Sequence, residues 1–120
     1  MALAVGGAAA VSALALAGTA HASTFMVKNE NITPGNEVCI AVAANTSIAA
    51  VGVAEAPGLK FKLIAQDGTV ITATSGPATH WAPYYYPGVP GWAGPGDYTA
   101  CAKNNGTQTV FLDYLTVQGS

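Results

Sequence analysis

The sequence predicts an all-β fold, a seven-stranded antiparallel Greek-key sandwich, and three observations carry that prediction. The apolar stretches after Ser23 are short, rich in Val, Ile and Thr, and bounded by Gly, Pro, Asn or Asp, which is the pattern of strands and turns. No stretch of helical length repeats its apolar residues at helical spacing. Two dipeptides, Asp67-Gly68 and Asn105-Gly106, fall between apolar runs as tight hairpin turns do.

The elements follow in order. Residues 24–29 form a first strand, and Thr33-Pro34-Gly35-Asn36 turns the chain into residues 37–44, where Val38, Ile40 and Val42 share one face and Cys39 lies on the other. After Asn45-Thr46-Ser47, residues 48–55 form a third strand, which Ala56-Pro57-Gly58 breaks. Residues 59–65 alternate cleanly: Leu59, Phe61 and Leu63 point one way while Lys60 and Lys62 point the other, as in a strand with one wet face. Asp67-Gly68 then turns into residues 69–74, a hairpin. Asn105-Gly106 joins residues 97–103 to residues 107–117 in a second hairpin, with Val110, Leu112 and Tyr114 on one face and Phe111, Leu115 and Val117 on the other.

Composition limits what such a domain does. Of 120 residues, 51% are hydrophobic and 8% charged, with four Lys, no Arg and a formal net charge of -2. That balance excludes disorder. It also lacks the clustered basic sequence that nucleic acid or an anionic membrane would need, so neither is expected as a partner. Residues 2–22 carry no charged side chain and end in Ala20-His21-Ala22, a small-x-small triplet that reads as a secretory signal peptide cleaved before Ser23. The expected domain is therefore residues 23–120, secreted and extracellular. In an oxidising compartment Cys39 and Cys101 have one intramolecular pairing open to them, a disulfide.

Cys39 falls on the second predicted strand and Cys101 on the sixth, and hairpins join strands four to five and six to seven. That placement resembles the immunoglobulin fold, and the resemblance implies that the disulfide bridges the two sheets. The likeness is one of architecture: the third strand carries no Trp, and Tyr98 precedes Cys101 by three residues where the tyrosine corner has two.

The segment from 75 to 96 interrupts the strand pattern with five Pro and five Gly. Loops longer than about 12 to 15 residues are uncommon in compact domains and tend to be functional or disordered. This one holds Trp81, Tyr84, Tyr85, Tyr86 and Trp92, half of the ten aromatic residues, with His80 beside Trp81. Proline fixes φ and lowers the entropy lost on ordering. Trp and Tyr offer broad apolar faces with a hydrogen-bonding tip, suited to stacking on sugar rings or anchoring a protein interface. Part of the segment can equally close one end of the core. Three adjacent Tyr cannot all point inward along an extended chain, so at least one is expected to be exposed.

These residues, His80, Trp81, Tyr84, Tyr85, Tyr86 and Trp92, are the candidate ligand-binding set. The function expected of them is non-catalytic binding of a carbohydrate or cell-surface polymer, with a structural, adaptor or inhibitor role toward another protein as the alternative. Coplanar rings in a shallow groove would favour sugar, and a broad contiguous patch would favour protein. No catalytic cast is apparent: one His remains after the signal, both Cys are taken by the bridge, and Asp97 and Asp113 are explained by a turn and a wet face. No metal site and no cofactor are expected, because a lone His80 lacks the partners zinc requires. Three triplets, starting at Asn31, Asn45 and Asn105, match the N-glycosylation acceptor pattern in predicted turns.

Overall fold

A computed structural model describes residues 23–74 and 79–120. The expected signal peptide and its cleavage site lie outside the described residues, as do residues 75–78 of the Pro/Gly segment. The strands are β1 (Ser23–Ile32), β2 (Glu37–Ala44), β3 (Ile48–Ala54), β4 (Leu59–Ile64), β5 (Val70–Ala73), β6 (His80–Trp81), β7 (Tyr84–Tyr85), β8 (Gly96–Asn104) and β9 (Val110–Gly119). There are nine rather than seven because the aromatic segment contributes β6 and β7.

The strands form two antiparallel sheets. The first runs β1-β9-β3-β6, with β7 pairing β3 beside β6, and the second runs β2-β8-β4-β5. Between them lie fully buried Ile48, Leu59, Phe61, Leu63, Tyr98, Leu112, Leu115 and Val117. The expected alternation of β2 and β4 holds. Val42, Leu59, Phe61 and Leu63 are buried, Val38 and Ile40 pack against the core, and Lys60 is exposed.

The connections differ from the immunoglobulin pattern. β4 and β5 form the hairpin that Asp67-Gly68 announced: Ala65 O accepts from Gly68 N–H at 2.9 Å, and Thr69 N–H donates to Asp67 Oδ1. That amide and the Thr69 hydroxyl hold the Asp67 carboxyl below its ordinary range. Elsewhere the long strands cross the sandwich from one sheet to the other. β8 and β9 therefore do not form the second hairpin expected at Asn105-Gly106, since they belong to different sheets. The resulting strand order is that of a jelly roll, two Greek keys wound into facing sheets. The crossing after β8 is fixed by Asn104. It is fully buried, donates to Ile32 O at 2.8 Å and Gln108 O at 2.7 Å, and accepts from Gly106 N–H, so burial leaves no lone polar atom on it.

This winding relocates the disulfide. Cys39 and Cys101 are joined, but on neighbouring strands of one sheet, directly opposite in the β2–β8 register with Cα atoms 4.1 Å apart. The bridge implied by the immunoglobulin likeness, from sheet to sheet, does not occur, because the crossings bring the second and the penultimate long strands side by side.

A bulge explains a second departure. β9 pairs β3 in register until Val53, opposite Tyr114, after which Ala54 pairs Leu112. One extra residue on β9 reverses the side-chain parity. Val110 and Leu112 before it and Leu115 and Val117 after it are consequently all buried, while Tyr114 turns away from the core. Strict alternation had placed these residues on opposite faces.

Candidate functional site

Alternation divides the aromatic segment between core and surface. On β6, Trp81 pairs Gly52 of β3 and points inward, 8% exposed, stacking on Phe61 with centroids 5.5 Å apart and planes 10° apart. Gly52 is required there: a Cβ at that position would lie 2.6 Å from Phe61 Cδ1. The missing side chain makes the space into which Phe61 fits under Trp81. His80, one residue earlier, is exposed on the outer face.

Pro83 separates β6 from β7, and its carbonyl accepts from Ala50 N–H at 3.1 Å, so the edge of β3 stays paired through the interruption. β7 then pairs Ala49 with Tyr84 and Ile48 with Tyr85. Tyr85 follows Ile48 inward and packs against the core. Its ring lies over Gly91, where a Cβ would sit 2.6 Å from Tyr85 Cε1 and where φ is +103°. Both constraints exclude a larger residue.

Tyr84 and Tyr86 take the opposite parity. They are 58% and 44% exposed, with ring centroids 5.2 Å apart and planes tilted by 49°. Beyond them the chain turns back, Val89 N–H bonding Tyr86 O and Trp92 N–H bonding Val89 O. Trp92 is half-buried and stacks on Tyr98 at 5.6 Å and 18°. The Tyr98 hydroxyl donates to Gly94 O at 2.6 Å and accepts from Ala93 N–H at 3.2 Å, while Gln66 Nε2 holds Ala93 O. Burial pushes the Tyr98 phenol above its ordinary pKa, so it remains a neutral donor. The segment is thus tied down at Pro83, Tyr85 and Trp92, with Tyr84 and Tyr86 held on its outside.

The candidate set separates accordingly. Trp81, Tyr85 and Trp92 face the core in whole or part, and Tyr84, Tyr86 and His80 face solvent. Pairing also supplies neighbours that a reading of the loop alone misses. Tyr84 lies opposite Ala49, Ala49 opposite Gln118, and Gln118 opposite Thr24. In-register partners share a face, so the Tyr pair borders a strip floored by the small Ala49 and edged by the exposed amide of Gln118 and hydroxyl of Thr24. The two-residue spacing of Thr116 and Gln118 is the only local signal for it, and the bulge in β9 hid which way that spacing faced.

Asp97 and Asp113, expected on paired strands, lie on opposite sheets. Asp113 instead meets Glu55, and their hydrogen bond and mutual repulsion raise the Glu55 carboxyl above the ordinary range. Among the described residues the one close group of metal-type ligands is Glu37 with Cys39 and Cys101. Both of its sulfurs are already committed to the disulfide.

No protein-family model and no curated protein matches the sequence. Solved structures do resemble the fold. A mitogen derived from Yersinia pseudotuberculosis is 16% identical with a TM-score of 0.57, over 85% of this chain and 88% of that one. A family two carbohydrate esterase from Cellvibrio japonicus aligns at 13% identity and a TM-score of 0.46, over 83% of this chain and 35% of its own. A carbohydrate-binding module that recognises mannan aligns at 8% identity and a TM-score of 0.32, over 73% and 67%. The first of these likenesses shows the β-sandwich fold, and a fold by itself does not fix a function.

Proposed function

We propose that the protein is an exported, non-catalytic binding module that takes a saccharide of a cell-surface or extracellular polymer at Tyr84 and Tyr86. The observation that carries this reading is the exposed pair itself, two phenols 5.2 Å apart on a tied-down segment. A sugar ring presents C–H groups to an aromatic face and hydroxyls to the polar tips around it. The strip of Ala49, Gln118 and Thr24 supports the reading with a shallow floor and uncharged hydrogen-bonding groups. Their 49° tilt departs from the coplanar rings that a flat sugar platform would present, so the support for a saccharide is the exposure of the two phenols and the polar strip beside them. The commitment of both Cys to the bridge and the separation of Asp97 from Asp113 favour binding without catalysis, and the disulfide favours an oxidising, extracellular setting.

The test is calorimetric titration of the full chain with soluble oligosaccharides and solubilised cell-wall fractions. Tyr84→Ala and Tyr86→Ala should each weaken binding by roughly tenfold, the range of an aromatic anchor truncated at a binding surface. Absence of any glycan binding, or binding indifferent to both variants, would remove the proposal.

A second reading has its own observation. Among the described residues β1 is an edge strand, and Phe25 and Met26 on it are 41% and 54% exposed. An apolar edge can accept a strand from another protein, as an adaptor subunit would. Sedimentation of the full chain against a Met26→Lys variant separates that role from saccharide binding.

A further inference from the structure

Three of the four Lys converge on the outer face of the second sheet, far apart as they are in sequence. Lys60, Lys62 and Lys103, with Val70, Ala73 and Asn105, line a shallow trough of about 290 Å3. The sequence shows no basic cluster because β4 contributes two of these lysines and β8 the third.

The arrangement works against the sheet. Lys60 and Lys103 are directly opposite in the β4–β8 register, and like charges so placed are destabilising. Glu37 stands opposite Lys103 on β2, where it could neutralise that pair. Its carboxylate instead bonds Lys62 Nζ at 3.3 Å. Among the described residues neither Lys60 nor Lys103 has an ion pair. Two ammonium groups without an ion pair therefore line one recess together with Val70, Ala73 and the amide-bearing Asn105.

We infer that this trough is a second binding site, for the oxyanion of an acidic saccharide, a ring carboxylate or sulfate seated between Lys60 and Lys103 with the sugar against Val70 and Ala73. An anion between the two ammonium groups removes the repulsion that the empty sheet carries, which gives the like-charge register a purpose. The choice of a saccharide as carrier rests on the function proposed above, whereas the oxyanion site does not. The trough and the Tyr pair lie on different sheets, so the two fail separately.

The experiment is titration of the full chain with oligogalacturonate, with a sulfated oligosaccharide, with a neutral oligosaccharide of equal length, and with sodium sulfate and sodium phosphate alone. The expected result is that one of the two charged oligosaccharides binds, which identifies the oxyanion as carboxylate or sulfate, and that raising the salt weakens it severalfold. Lys60→Gln and Lys103→Gln should each weaken it by roughly tenfold, as loss of a charged hydrogen bond does. Lys60→Arg should preserve it, and so should Lys28→Gln, which removes the fourth Lys, on β1 of the other sheet. Tyr84→Ala should leave it intact even where neutral-glycan binding is lost. Lys60→Gln should melt no lower than the parent, since it relieves the repulsion, so unfolding would not account for its loss of binding. The inference is overturned if charged oligosaccharides bind no tighter than the neutral one, if Lys28→Gln costs as much as Lys60→Gln, or if free sulfate or phosphate binds as tightly as the saccharide.

Discussion

Trp81 and Tyr84 are three residues apart and made of similar chemistry, yet one completes the core and the other stands in solvent. The difference is parity against β3. Trp81 meets Gly52, where a Phe61 ring waits in the space of an absent side chain, while Tyr84 meets Ala49 on the outer face. Tyr85 and Trp92 join the inner group, and Tyr86 and His80 the outer one. An aromatic-rich segment is therefore two regions in one stretch of chain, a plug and a surface, and the plug holds the surface in place.

The largest effect should come from breaking the plug. Trp81→Ala removes the stack on Phe61 and leaves a cavity, with an expected loss of about 3–5 kcal/mol, measured by urea denaturation. Gly52→Ala attacks the same contact from below. It forces the Phe61 ring aside and should cost about 1–3 kcal/mol, with the near-ultraviolet dichroism of the stacked rings reduced. Tyr98→Phe keeps the ring but leaves Gly94 O and Ala93 N–H without their partner, at about 1–2 kcal/mol. Trp92 emission should shift to the red as its segment loosens.

On the surface side, Tyr84→Ala and Tyr86→Ala should leave stability within about 0.5 kcal/mol. A large destabilisation by either would mean that both regions are plug and that the contrast is wrong. The smallest effect belongs to Glu55. Its folded-state pKa is raised by Asp113, so it favours folding below its unfolded pKa and loses that contribution as pH rises through the folded value. Glu55→Gln keeps a hydrogen-bonding group without the charge. A slightly higher melting temperature is expected at neutral pH, with no difference in acid, where both carboxyls are protonated.

The strands were largely legible because their turns and alternation are local. The 37–44 strand matches β2 residue for residue, and Asp67-Gly68 makes the hairpin its sequence announces. What local pattern could not convey is which strand lies beside which. Two cysteines leave one pairing, Cys39 with Cys101, but do not say which sheet holds it, because a β-sandwich chain that crosses between sheets at nearly every connection has the same local sequence signals as one that does not. The parity of Val110, Leu112, Leu115 and Val117 was lost to one bulged residue. The division of the aromatic segment was hidden for a similar reason: Pro83 interrupts the alternation, so whether Trp81 or Tyr84 faces inward depends on β3, some thirty residues away. The lysine trough is likewise a product of register.

The ladder that joins Tyr85 to Ile48 continues to Gly119 and ends at Ser23. Both ends of the described domain thus emerge side by side on the Tyr85 rung, Gly119 about 10 Å and Ser23 about 14 Å from it at ordinary strand spacing. The Lys103–Glu37 rung lies at the other end of β2 from Ala44, whose neighbour Asn45 bonds Ser120 O. A tether attached at either end of the described domain would hold the Tyr pair close to whatever anchors it and aim the cationic trough outward. Such a tether would give the sandwich a near side and a far side, and the Tyr pair and the lysine trough would sample different distances from the same support.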